Sequence, residues 1–307
     1  MSTTPEPLPA WNPGPADPPA QTSEDAVACT VAEPYTESHS RLDRIPALSH
    51  TFLFFALAVL IVVAGELITL GVAHYIPLFS YESFSDLAQD ARLIIPSQAL
   101  QYAALLGIAT LLFGAIWHKP FWKALEWNGA SAAKRGLWLA GFGLVLGLVS
   151  SLASNYLPMP KEAPILNDLM RSSTGAWLMF LFGTTGAPLV EEVAFRGFLL
   201  PSLLNLRRRP SLPGEFAARP TALATPGVAV CILLTSAPFA LLHSLQVSSA
   251  WAPILLIGAV SVILCLVRLW TNSVAASTLV HATYNFTLFA GMLVASDGFR
   301  HLEKLNN

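Results

Sequence analysis

The sequence predicts an all-α protein, a polytopic transmembrane helix bundle of about seven spans. Three observations carry this. Apolar residues make up 54% of the 307 and charged residues only 12%, against about 25% charged in an ordinary soluble domain. The apolar residues fall in runs of about 20, the length at which a helix rising 1.5 Å per residue crosses the hydrocarbon core. Inside those runs in the second half of the chain stand Glu, Arg, His and Asn residues, which lipid tolerates only when they face a bundle interior or a watery cavity.

The candidate spans are 51–73, 98–117, 136–156, 175–204, 226–245, 252–270 and 273–295. The fourth is over-long and holds Glu191, Glu192 and Arg196 with Pro188 nearby, so it is expected to kink or break in two, which would make an eighth membrane element. Residues 1–45 crowd Pro5, Pro7, Pro9, Pro13, Pro15, Pro18 and Pro19 among small and acidic residues and are expected to form a disordered cytoplasmic tail. The first apolar run starts near Thr51, too late for a secretory signal, so the N-terminus is expected to be retained. The remaining division is 46–170 for the N-terminal helices, 171–297 for the region with the chemistry, and 298–307 for a C-terminal tail.

Charge and cysteine usage exclude several classes. A net charge of −2 without a long basic stretch gives nucleic acid no footing. Cys29, Cys231 and Cys265 share no close spacing, so neither a disulfide framework nor a CxxC zinc site is available, and the latter two read as small hydrophobes.

Arg41, Arg44, Lys119, Lys123, Lys134, Arg135, Arg207, Arg208, Arg209 and Arg219 all fall on one side of the bundle; Arg92, Lys161, Arg171, Arg300 and Lys304 fall on the other. The excess marks the cytoplasmic side and, with seven spans, predicts an N-in, C-out protein, expected in the plasma membrane. The basic connection 205–224 is expected to lie on anionic lipid without a catalytic role. Trp117, Trp122, Trp127 and Trp138 sit around span boundaries, as an interfacial aromatic belt would. His74 and His118 lie at span ends. Glu66, inside the first span, is expected to make an interhelical hydrogen bond or, less favoured, to line the cavity.

Read as helix, APLVEEVAFRGF puts Glu192 and Arg196 four residues apart on one face, where they can pair. Glu191 is rotated by about 100° from Glu192, which leaves its carboxylate for another task. In SAPFALLHS, Phe239 precedes His243 by one turn, and in LVHATYNFT, His281 and Asn285 have the same spacing. If these three faces converge, the pocket suits peptide hydrolysis: a carboxylate and a His bind or deprotonate water, while a His and an Asn stabilise an oxyanion. Phe239 is expected to be core packing that also orients His243.

The ordered set EExxxR, FxxxH and HxxxN, each on an apolar helix, resembles the CPBP intramembrane protease family, which includes CAAX prenyl endopeptidases and proteins linked to bacteriocin processing or immunity. The resemblance covers roughly residues 170–295 and includes every polar motif position. It implies that Glu191 activates the attacking water with His243, that His281 and Asn285 stabilise the tetrahedral oxyanion, and that Glu192 and Arg196 hold the site as an ion pair. Zn2+ held by Glu191, His243 and His281 would satisfy a three-ligand catalytic arrangement. A metal-free glutamate mechanism is equally consistent, and no HExxH helix is present. The implied partner is a membrane-associated peptide or protein, prenylated if the CAAX type applies. A non-catalytic scaffold or immunity protein stays open, as does a proton-coupled transporter, although no first-half counterpart of the ionisable set appears.

Overall fold

The computed structural model describes residues 45–77, 79, 83–160, 164–207 and 225–305. The expected Pro-rich tail with Cys29, Arg41 and Arg44, Lys161, and most of the basic connection including Arg208, Arg209 and Arg219 lie outside the described residues.

Every expected span corresponds to helix, and among the described residues there is no strand. The first three are α1 (Leu48–Ala73), α2 (Ala91–Trp117) and α3 (Gly136–Ser154). The fourth is interrupted, as its length and Pro188 led us to expect. It runs as α4 (Ser173–Thr184), α5 (Gly186–Glu192), a π-helical stretch (Val193–Leu199) and α6 (Leu200–Arg207). There follow α7 (Pro226–Leu242), α8 (Trp251–Thr271) and α9 (Val274–Ala295). Six of these segments are long and apolar enough to cross a membrane, and α7, with 17 residues, is a shorter apolar helix. The chain is an integral membrane helix bundle.

The interruption of the fourth span has a local cause. Pro188 has no N–H to give the Thr184 carbonyl, so the helix stops and restarts with Pro188 in a first turn, where that N–H is not required. Thr185 carries the break, at φ −128° and ψ −73°. The hydroxyls of Thr184 and Thr185 accompany it by donating to the carbonyls of Phe180 (2.7 Å) and Leu181 (2.6 Å), holding backbone oxygens at a helix end that lipid could not satisfy.

Close helix contact requires small residues where two backbones meet, because lipid supplies no hydrophobic drive between helices. Helix α9 packs along α3 through Gly143 and Gly147, where an added Cβ would lie 1.9 Å from Thr283 Oγ1 and 2.6 Å from Thr287 Cβ. This Gly-x-x-x-Gly face seats the helix that carries His281 and Asn285. Around the first spans, Phe54, Phe113, Trp117, Phe121 and Phe198 form a buried aromatic cluster, with Phe54 and Phe198 stacked at 4.4 Å.

One expectation is sharpened and one corrected. Trp117 ends α2, at the span boundary expected of it, but its side chain is buried against protein, with Nε1 3.1 Å from His50 Nδ1 inside the aromatic cluster. Glu66 is half-buried and makes no hydrogen bond or ion pair among the described residues, because the polar contact between α1 and α2 one turn away is made by Thr69 and Ser97 at 2.9 Å. Trp138 is 55% exposed, as a belt residue should be. Cys231 and Cys265 are free and buried.

Candidate active site

The broken fourth span brings two adjacent carboxylates into different surroundings. Glu192, at the end of α5, is wholly buried, and so is Arg196 in the π-helical stretch. Their ion pair closes at 2.8 Å. A π turn widens the helix by one residue and recurs at functional sites; here it lies within the bundle with Val193 through Phe198 buried. Glu191 keeps 22% of its side chain exposed and takes no part in the arginine pair.

His281, on α9, spans the two carboxylates. Its Nδ1 is 3.1 Å from Glu192 Oε1 and its Nε2 is 3.7 Å from Glu191 Oε2. Because Glu192 is committed to Arg196 as a carboxylate, Nδ1–H donates to it, and the neutral ring then carries its lone pair on Nε2, toward Glu191.

His243 is set by the end of α7. The residue caps the helix, and its Nδ1 lies 2.8 Å from the Phe239 carbonyl one turn back. A carbonyl only accepts, so Nδ1–H donates and Nε2 is again the free acceptor. The Phe239 ring is buried between the two imidazoles, 4.9 Å from His243 and 5.9 Å from His281. The Arg196 guanidinium sits 4.7 Å over the same ring, a cation–π contact. Phe239 is therefore core packing that links Arg196, His243 and His281.

Asn285 projects one turn beyond His281, and its Nδ2 donates to the Gly183 carbonyl at 2.7 Å, an oxygen in the last turn of α4 just before the break. One amide hydrogen remains for another acceptor.

Three positions that sequence reading passed over complete the site. Ser261 on α8 accepts Arg196 Nη2 at its carbonyl (2.9 Å) and at its hydroxyl (2.8 Å). Arg268, buried near the end of α8, donates from Nε to the Arg196 carbonyl at 3.2 Å and pairs through Nη2 with Glu126 at 2.8 Å. Glu126 holds a left-handed backbone, φ 58°. An arginine inside an apolar run was the available signal for Arg268; Ser261 had none, since a small hydroxyl residue is ordinary in such helices.

For the expected zinc through Glu191, His243 and His281, each imidazole presents a free Nε2, while among the described residues no three His, Cys, Asp or Glu side chains are gathered as closely as a bound metal requires. No step is routed through a metal here.

Residues 173–287 match the family model described as type II CAAX prenyl endopeptidase Rce1-like. No curated protein and no solved structure matches the chain. The matched segment begins at α4, ends within α9 and contains Glu191, Glu192, Arg196, His243, His281 and Asn285. Over residues 173–287, about a third of its length, this membrane protein is thus similar to the Rce1-like type II CAAX prenyl endopeptidases.

Proposed function

We propose that the protein hydrolyses a peptide bond of a membrane-associated peptide or protein, in CAAX-type or leader-peptide processing, by a water that Glu191 activates. The single observation that carries this is the imidazole of His281 between a closed carboxylate, Glu192, and an open one, Glu191. The 3.7 Å between Glu191 Oε2 and His281 Nε2 is too long for a direct hydrogen bond and suits one bridging oxygen.

In this mechanism Glu191 takes a proton from the water as its oxygen attacks the scissile carbonyl. His243 Nε2 accepts the other hydrogen and orients the water. The free amide hydrogen of Asn285 donates to the developing oxyanion. Collapse of the tetrahedral intermediate breaks the C–N bond, and the proton held by Glu191 passes to the leaving amine, with His281 Nε2 as the relay between them. Glu192 and Arg196 touch no reacting atom; they position His281 and Phe239. The Lys and Arg bias of the connections supports a cytoplasmic N-terminus.

The test is cleavage of a peptide panel, including a farnesylated CAAX peptide, by the detergent-purified chain beside Glu191→Ala and His243→Ala, with metal content read on the same samples. Cleavage lost in both variants supports the assignment. Equal cleavage by all three overturns it, and stoichiometric zinc that disappears with His243→Ala would replace the glutamate mechanism with a metal one.

A further inference from the structure

On the side of the bundle where α2 and α8 end and α3 begins, the chain folds into two short helices, Phe121–Ala124 and Gly129–Lys134. Between this segment and the turn joining α8 to α9 is a cavity of about 600 Å³ lined by Lys123, Trp127, Asn128, Ser131, Arg135 and Trp270. A second cavity shares Ser131 and Arg135 and adds Lys134.

The charge in this cavity is unbalanced. Its one carboxylate, Glu126, is taken by Arg268. Lys123 in this cavity and Lys134 in the adjoining one are exposed and make no ion pair among the described residues. Arg135 is held in place by Ser131 Oγ at 3.2 Å and by the Trp270 ring, 5.4 Å beneath its guanidinium. Such a preorganised fork beside two ammonium groups recognises phosphate oxygens. The surroundings select the source of that phosphate. Trp138 packs 5.3 Å from Trp270, which lines the cavity, and Leu137 and Trp138 at the start of α3 are 95% and 55% exposed, an apolar and aromatic strip of the kind that borders lipid.

We propose that this cavity binds the headgroup of an anionic phospholipid, whose acyl chains lie along the exposed start of α3. The site is separate from the peptidase site and does not depend on it. Its rear wall, Glu126, is nevertheless tied through Arg268 to the Arg196 carbonyl.

The experiment is native mass spectrometry of the full chain in detergent with phosphatidylglycerol or phosphatidylcholine, for wild type, Lys123→Gln, Arg135→Gln and Lys119→Gln. Lys119 precedes the same segment but does not line the cavity, so it controls for net charge. Wild type is expected to retain phosphatidylglycerol over phosphatidylcholine, and Lys123→Gln and Arg135→Gln should each lower that retention about fivefold, the weight of one cation near anionic lipid. Lys119→Gln should leave it unchanged. Equal retention of the two lipids, or an equal loss in Lys119→Gln and Lys123→Gln, overturns the proposal. Displacement of the lipid by millimolar inorganic phosphate would overturn it in favour of a soluble phosphate ligand. Lys123 is exposed, so that variant decides the matter even if Arg135→Gln folds poorly.

Discussion

One imidazole touches two neighbouring carboxylates in unlike ways: His281 Nδ1 is 3.1 Å from Glu192 and Nε2 is 3.7 Å from Glu191. Glu192 is sealed inside the bundle with Arg196, whereas Glu191 retains access to solvent. Adjacent residues of the same type should therefore fail in different ways. Glu191→Gln is expected to lower cleavage by about 10²–10⁴-fold, the usual weight of a general base, and to leave stability within about 0.5 kcal/mol. Glu192→Gln strands a buried guanidinium and should destabilise by roughly 3–5 kcal/mol. Peptide cleavage together with unfolding in a denaturing-detergent titration separates the two; equal loss of stability in both would remove the distinction.

Phe239 connects Arg196, His243 and His281 through one ring. Phe239→Leu keeps the volume apolar and the backbone carbonyl that holds His243 Nδ1, but removes the cation–π contact, worth about 0.5–2 kcal/mol, and the ring face against which His243 lies. We expect kcat to fall by about tenfold, which corresponds to roughly 1.4 kcal/mol, with KM little changed. A change in KM alone would show that the ring serves substrate binding instead.

The contact of α3 with α9 leaves no room for a side chain at Gly143 or Gly147. Gly143→Val must push Thr283 and the Val280 carbonyl away, and this moves the helix that carries His281 and Asn285. Overpacking of this kind costs about 1–3 kcal/mol, and a displacement of about 1 Å at the reacting groups costs on the order of 10²-fold in rate. Gly141→Val is the control, since a Cβ there meets nothing within 4 Å. Unchanged activity in Gly143→Val would mean that this close approach does not position the site.

Arg268 holds the π-helical stretch by its backbone and Glu126 by its charge. Replacing Arg268 with Met removes a buried hydrogen bond of a charged group, about 1.5–3 kcal/mol. Glu126→Gln should cost less than about 1 kcal/mol, because that carboxylate is half exposed and solvent screens the pair. Denaturing-detergent titrations of the two variants check the order. A larger loss in Glu126→Gln would place the important contact at the membrane surface, not at the Arg196 carbonyl.

The sequence by itself determined where the helices are and which ionisable residues stand inside them. Hydrocarbon demands about 20 consecutive apolar residues for each span, and the cost of an ionisable group in lipid makes Glu191, Glu192, Arg196, His243 and His281 conspicuous. Pro188 marked the break in the fourth span for the same local reason. The tertiary structure alone decided which neighbours meet. In a soluble helix, polar and apolar faces reveal the buried side; in a membrane helix both the lipid face and the packed face are apolar, so periodicity does not tell them apart. That is why the burial of Trp117, the lack of a hydrogen-bond or ion-pair partner for Glu66 among the described residues, the seat of α9 on Gly143 and Gly147, and the grip of Ser261 and Arg268 on Arg196 were not legible. The π turn was equally hidden, since it lies where α5 and α6 are held by different neighbours.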